Sequence, residues 1–363
     1  MKIPQFKSFV DKTDYAFLEK VFLNNYIAEG PVAKDFHDQL LTLIGSKYGV
    51  FAPNGTLALY LALKAIGIKP GDEVIVQNTT FIASANAIEM LGATPVFVDI
   101  ISYDNPSLDI SKVKISTKTK AIMICHLFGT VCTNIEEVQK FCFNKGLLLI
   151  EDAAQTIGLT NSKKHCGTFG MVGTFSFYAD KTITTGEGGF VVTDDEIVYE
   201  KMLYLRNQGR KKSGSFIHPE IGYNFRLTDF QAALGLSQLS KLSYIIIEKQ
   251  KIYQLYKKYL KNKVHFLKLN NNFNYIPFRV VIFLDNAAKI IESMAKKGIE
   301  GRTVFYPLNQ QPCFKNTKFG SSVQEDYNNS LECYTKGVCL PTWVGLSEQQ
   351  IQYVSNTLLE LME

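Results

Sequence analysis

The chain has 363 residues, 46% hydrophobic and 20% charged, with 39 basic against 34 acidic side chains and a formal net charge of +5. That balance excludes a disordered chain, and without a basic block or nucleic-acid motif it offers no phosphate-tracking footprint. Anionic small molecules remain compatible with so mildly basic a surface.

In chain order, MKIPQFKSFVDKTDYAF lacks a continuous apolar stretch and does not read as a signal peptide. No uninterrupted apolar run is long enough to span a bilayer. KYGVFAPNG predicts a short strand into a turn, and GTLALYLALKAIG a buried helix ending at Gly67. KPGDEVIVQN predicts a turn and a strand, TTFIASANAIEMLG a second helix, and TPVFVDI a second strand. KAIMICHLFG follows as a strand, then TNIEEVQKFCFNKG as an amphipathic helix capped by Thr133 or Asn134. LLLIEDAAQ is a wholly apolar strand with polar residues only at its C-terminal end. Such strands alternating with helices predict an α/β fold with a mostly parallel sheet covered on both faces.

After about Lys241 the pattern changes. IIIEKQKIYQLYKKYL predicts a long helix, PFRVVIFL a strand, and DNAAKIIESMAKKG and SEQQIQYVSNTLLELM two helices, with NNNFN near Asn270 a loop. The expected division is a large α/β domain over residues 1–240 and a linking helix with a small α+β domain over 241–363. The seven cysteines form no C-x-x-C pair and read as reduced, mostly buried thiols of a cytoplasmic protein.

Ligands of parallel sheets bind outside the carboxyl ends of the strands. Four polar clusters fall there: Pro53 to Thr56, Thr79 to Phe81, Glu151-Asp152 with Gln155, and FSFYADKTITTGEGG, Phe175 to Gly189. Gly55-Thr56 opens a helix whose free amides suit a phosphate, or is an ordinary cap. Asp152 follows a buried strand and needs a cationic partner, such as a protonated ring nitrogen, or it caps the next turn. Lys181 lies between an aromatic strand and the uncharged ITTG, ahead of the glycine-rich GEGG, where a lysine can lose its proton and attack a carbonyl. Together these are the needs of pyridoxal phosphate. Phe81 would face the ring, and Gln155 and Ser176 would bond the phenolic oxygen and the phosphate. The five histidines show no metal-ligand spacing, and no G-x-S-x-G elbow supports a serine hydrolase.

NGTLALYLALKAIGIKPGDEVIV, TTFIASANAIEMLGATPVFVDI, LIEDAAQTIG, TFSFYADKTITTGEGGFVVTDD and IGYNFRLTDFQAALGLSQL together resemble the DegT/DnrJ/EryC1/StrS family. The resemblance runs from about Asn24 to the C-terminus. It implies a fold-type I, aspartate aminotransferase-like, pyridoxal-phosphate-dependent sugar aminotransferase, passing through pyridoxamine phosphate in turnover. By this resemblance Lys181 is the imine-forming lysine and general acid/base, Asp152 the partner of the pyridine nitrogen, and Gln155 the contact to the phenolic oxygen. Gly55, Thr56 and Ser176 hold the phosphate, and Phe81 stacks on the ring. Asn224 in GYNFR reaches the cofactor phosphate of the other subunit, which implies a homodimer with shared sites.

Within the family the chain is most similar to the GDP-perosamine-synthase-like 4-keto-sugar aminotransferases, whose TWISS-GP stretch is echoed by NNYIAEGP, Asn24 to Pro31. The implied reaction moves an amino group from an amino acid, glutamate in most of the family, to a nucleotide-linked 4-keto-6-deoxy sugar for surface-glycan biosynthesis, including lipopolysaccharide O-antigen. Tyr26, Arg302, Phe305 and Tyr306 would line the sugar pocket, with Arg302 either facing the diphosphate or an ordinary surface arginine. Two departures stand out. Asp180 precedes the lysine where the family often has Asn or Thr, and FGTVC, Phe128 to Cys132, replaces G-[QH]-P-x-D-M. Rival readings are a 3-keto-sugar aminotransferase, a dehydratase of the same fold, which would carry histidine in place of Lys181, and a non-enzymatic cofactor-binding regulator, which would need an appended DNA-binding domain.

Overall fold

The computed structural model describes residues 2–23, 25–161, 164–210, 214, 216–314 and 326–363. Helices α1 (Lys12–Leu23) and α2 (Pro31–Ile44) precede strand β1 (Tyr48–Ala52), helix α3 (Gly55–Ala65), β2 (Glu73–Gln77), α4 (Ala83–Glu89) and β3 (Thr94–Val98). A hairpin of β4 (Ile100–Ser102) and β5 (Asn105–Leu108) leads to β6 (Thr119–Cys125), α5 (Ile135–Lys145), β7 (Leu148–Asp152), β8 (Val172–Ser176), β9 (Gly189–Thr193), α6 (Glu196–Arg206) and α7 (Asp229–Ser240). Then come α8 (Leu242–Leu260), β10 (His265–Phe266), β11 (Val280–Phe283), α9 (Ala287–Lys296), β12 (Arg302–Thr303), α10 (Asn328–Lys336), β13 (Gly337–Leu340) and α11 (Glu348–Met362).

Seven strands form one sheet in the order β1-β9-β8-β7-β6-β2-β3, in which only β9 runs against the others. This is the mostly parallel α/β sheet expected from the apolar runs. Strand side chains alternate between faces, and here the alternation divides the core in two. Val50, Val74, Val76 and Met123 pack with α3, α4 and α6, whereas Phe51, Ile75, Ile122 and Ile124 pack with α2, α5 and α7. The C-terminal part builds a four-stranded antiparallel sheet, β10-β11-β13-β12. One of its faces, Val280, Ile282, Val338 and Leu340, packs on α8, α9 and α11; the other, with Val281, Phe283 and Cys339, joins the core of the large sheet.

Two local expectations need correction. TTFIASANAIEMLG becomes helical only from Ala83 to Glu89. Asn134 stands at the N-cap of α5, but neither it nor Thr133 caps with its side chain. Asn134 Nδ2 instead donates to the Leu108 carbonyl and the Thr133 hydroxyl bonds Asn105, because the β4–β5 hairpin packs against this corner and offers its own polar groups. Six of the seven cysteines are buried and all are free thiols. Among the described residues no helix is long and apolar enough to cross a membrane.

Candidate active site

β7 ends in two acids, and the strand sends them to opposite faces. Glu151 is fully buried. Its carboxylate accepts from the amides of Gly167 (2.8 Å), Phe169 (2.5 Å) and Gly170 (2.6 Å) and from His126 Nε2 (2.9 Å). His126 Nδ1 accepts from the Cys132 amide at 3.1 Å, which leaves Nε2 as the protonated nitrogen facing Glu151. Cys166 completes a tight buried trio with these two. The carboxylate of that trio is spent on backbone donors, so its work is to tie residues 165–170 to the sheet.

Asp152 faces the other way and is 8% exposed. Ser84 Oγ donates to its Oδ2 at 2.8 Å, and the Ala154 amide to its Oδ1 at 3.2 Å. Among the described residues no lysine or arginine forms an ion pair with it. Burial pushes its carboxyl up, while Ser84, the Ala154 amide and the charge of Lys181 pull it back. Such a carboxylate has room for one more cation.

Lys181 sits in the turn between β8 and β9, its amide bonded to the Tyr178 carbonyl at 2.9 Å. Its amine lies 4.5 Å from the centre of the Phe278 ring and 3.8 Å from Asp180 Oδ1. Burial lowers the amine from its ordinary value, Asp180 and Asp152 oppose that shift, and Arg279 adds to it. The following TTGEGG is held by its own hydroxyls: Thr184 Oγ1 donates to the Phe177 carbonyl at 3.0 Å and accepts from the Gly186 amide at 2.9 Å. Gly189 is required for a close approach to backbone, since a Cβ there would stand 2.3 Å from the Asn54 carbonyl oxygen.

That contact brings the start of α3 beside β8 and β9. Asn54 Oδ1 caps the Leu57 amide at 3.0 Å, and no described residue accepts from the amides of Gly55 or Thr56. A Cβ on Gly55 would lie 2.9 Å from Ser176 Cβ and 3.1 Å from its Oγ, so glycine keeps the cradle between these residues open. Two free amides, a helix start and a hydroxyl make a phosphate-sized anion site. Gln155 accepts from the Phe128 amide at 2.6 Å through Oε1, which leaves its NH2 group as a donor.

Phe81 is 55% exposed and, with Phe128, flanks Phe305, which stacks on Phe128 with centroids 5.4 Å apart. Phe128 holds a left-handed backbone (φ 57°) at the head of FGTVC. The structure therefore brings Gly55, Ser176, Asp152, Gln155, Lys181, Phe81 and Phe305 to one end of the sheet. Other sequence candidates have their contacts elsewhere. Asn224 is exposed and pairs with Asn207. Tyr26 leans on Gly30 and Glu29; Asn24 lies outside the described residues. Tyr306 packs on Tyr334, and Arg302 lies exposed on β12 over the Phe6 ring. A groove of about 1240 Å³ lies between α2, α6 and the segment around Glu220, with Lys34, Arg206 and Arg226 on its walls and Lys181 not among the residues that line it. Sequence reasoning missed Ser84, Lys249 and Arg279. Only Ser84 had a local signal, a hydroxyl one helical turn beyond Thr80.

The residues fit pyridoxal phosphate. The buried carboxylate suits a pyridinium, the glycine cradle with its free amides suits a phosphate, and a lysine with a lowered pKa suits an aldehyde. The DegT/DnrJ/EryC1/StrS aminotransferase family model matches residues 9–359. The chain is 37% identical over 355 residues to GDP-perosamine synthase of Escherichia coli O157:H7, covering 94% of this chain and 95% of that one. It is 34% identical over 371 residues to GDP-perosamine synthase of Vibrio cholerae, covering 98% of each. Among solved structures it is similar to Helicobacter pylori PseC, an aminotransferase involved in the biosynthesis of pseudoaminic acid, with a TM-score of 0.92, 26% identity, and 100% of this chain and 99% of that chain covered.

Proposed function

The chain belongs to the DegT/DnrJ/EryC1/StrS aminotransferase family and is a pyridoxal-phosphate-dependent sugar aminotransferase, and from that premise we propose that it aminates a nucleotide-linked 4-keto-6-deoxy sugar, with L-glutamate as donor. The observation that carries the proposal is the pair of Lys181, depressed by burial, and Asp152, a buried carboxylate with no ion-pair partner among the described residues, at one end of the sheet. The identity to two GDP-perosamine synthases favours a GDP-linked substrate.

Bound pyridoxal phosphate supplies an aldehyde to carry the amino group and a ring that holds a carbanion's electrons. Lys181 would hold the group through its aldehyde carbon, and its amine would carry a proton to or from the substrate carbon that gains or loses the amino group. Asp152, fixed by Ser84 and the Ala154 amide, keeps a proton on the ring nitrogen. Gln155 donates to the phenolic oxygen through its NH2 group. The amides of Gly55 and Thr56 and the Ser176 hydroxyl hold the phosphate. Phe81 covers the ring.

Arg302, Tyr26, Phe305 and Tyr306 are proposed sugar-nucleotide contacts. Phe305 has the best support, because it stacks beside Phe81 and Phe128. Asn224, exposed on its own chain, suits a phosphate contact across a homodimer. The proposed domain division is 1–240 and 241–363; that α7 ends at Ser240 and α8 starts at Leu242 supports it, and the free buried thiols suit a cytoplasmic protein. Incubation of purified protein with glutamate and a panel of GDP-, UDP- and dTDP-linked 3- and 4-keto-6-deoxy sugars, read by mass, tests the substrate. Amination of the GDP-linked 4-keto sugar is expected. Turnover of only a 3-keto sugar would overturn it.

A further inference from the structure

The residue before the lysine, Asp180, is bonded across the molecule. Arg279 Nη2 donates to Asp180 Oδ2 at 2.7 Å, and both side chains are largely covered. The other carboxylate oxygen, Oδ1, is buried, accepts no hydrogen bond from a described residue, and lies 3.8 Å from Lys181 Nζ. Arg279 stacks over Phe278, with its guanidinium carbon 4.2 Å from the ring centre, and also faces Phe6 at 5.5 Å. The Lys181 amine lies over the same Phe278 ring. Lys249 of α8, 4% exposed, donates to the Pro277 carbonyl at 3.3 Å. One carboxylate thus stands among three basic side chains from three elements: the turn after β8, α8 and the approach to β11.

Arginine is charged at every working pH and offers several donors in a fixed fork, whereas a lysine amine gains or loses its proton according to its surroundings. A free carboxylate about 4 Å away would hold that amine as an ammonium. We propose that Arg279 is a positioning residue for Lys181: by taking Asp180 Oδ2 it fixes the Asp180 carboxylate and offsets its charge, so that the amine, 3.8 Å from Oδ1, can lose its proton and act as nucleophile. The proposal rests on the reading of Lys181 as the nucleophile. In that step the amine lone pair forms the bond to the aldehyde carbon, and both amine protons leave with the aldehyde oxygen as water; an ammonium has no lone pair to give.

The charged groups facing Lys181 are Asp180, Asp152 and Arg279, and Lys249 faces the Asp180–Arg279 pair. Burial, with help from Arg279, brings the Lys249 amine down to about 7, so above neutral pH it adds little charge. The two ends of the ion pair therefore act on Lys181 with opposite sign. Removing Arg279 leaves Asp180 to hold the lysine proton. Removing the Asp180 charge leaves Arg279 to expel it.

Competitive acetylation of the full chain across a pH series, with the Lys181 peptide read by mass, measures the amine directly. Arg279→Gln should raise its pKa by about one pH unit and Asp180→Asn lower it by about one, while the double variant returns near wild type. A pair with a merely structural role would shift the lysine in the same direction whichever end was broken. Same-sign shifts, or no shift in variants with wild-type thermal unfolding, would overturn the proposal. Should Arg279→Gln fail to fold, the downward shift in Asp180→Asn and the recovery in the double variant still decide it. The labelling needs no pyridoxal phosphate. Failure of the wild-type chain to couple with that aldehyde, followed by absorbance, would count against the proposed function alone.

Discussion

Ser84 Oγ donates a 2.8 Å hydrogen bond to Oδ2 of Asp152, and it is the only side chain among the described residues that does so. The same hydroxyl lies 3.3 Å from both Thr80 Oγ1 and Cys125 Sγ, which fixes its direction. A hydrogen bond to a buried carboxylate is worth about 1.5–3 kcal/mol. Ser84→Ala should therefore push the Asp152 carboxyl further up and weaken its hold on a ring nitrogen. Retention of pyridoxal phosphate, measured by equilibrium dialysis, should fall about ten- to hundredfold. Unchanged retention would show that Asp152 does not depend on Ser84.

Gly55→Ala tests the phosphate cradle. The added Cβ would meet Ser176 at 2.9 Å, so α3 or β8 must shift and the two free amides move with it. Binding of pyridoxal phosphate should weaken about tenfold while binding of pyridoxal, which has no phosphate, stays the same. Equal losses for the two ligands would place the phosphate elsewhere.

The neighbouring acids of β7 should separate stability from chemistry. Glu151→Gln replaces a charged acceptor of three amides and His126 with a group that has a single acceptor oxygen. Breaking such a buried set costs on the order of 3 kcal/mol, visible as a lower urea midpoint. Asp152→Asn should leave the unfolding free energy within about 1 kcal/mol of wild type and abolish transamination.

His165 gives a pH dependence of known sign. Its Nε2 accepts from the Gly158 amide at 2.9 Å, so the buried ring is held neutral, and burial brings its pKa down to about 4. In the unfolded chain the ring titrates near 6.5, so below that pH the unfolded state binds a proton that the folded state refuses. The contribution is fully present above the unfolded pKa and is lost at about 1.4 kcal/mol per pH unit as pH falls toward about 4. Urea midpoints of wild type and His165→Asn across that window should converge on acidification. A constant gap would contradict the assignment.

The site was legible where chemistry and local pattern coincide. LLLIEDAAQ shows a buried strand that ends in acids, and Lys181 is an isolated lysine between an aromatic strand and a glycine-rich turn. Asp152 was singled out in sequence, and alternation along β7 explains why its neighbour Glu151 turns to the opposite face. TTGEGG reads only as glycine-rich in sequence, whereas in the fold its threonines close it with their own hydrogen bonds and Gly189 serves the backbone of Asn54. Arg279 was invisible because its partner Asp180 is 99 residues away and no local pattern marks a residue that folding brings across from the second sheet. Likewise Ser84 meets Asp152 across 68 residues. Capping propensity at Thr133 and Asn134 lost to the hairpin that packs beside them.

Borohydride reduction of the chain loaded with pyridoxal phosphate, followed by peptide mass mapping, tests the site at its centre. The reduced link should be found on Lys181 and vanish in Lys181→Ala, together with the visible absorbance and all transamination. A label on another lysine, or full activity in Lys181→Ala, would contradict it.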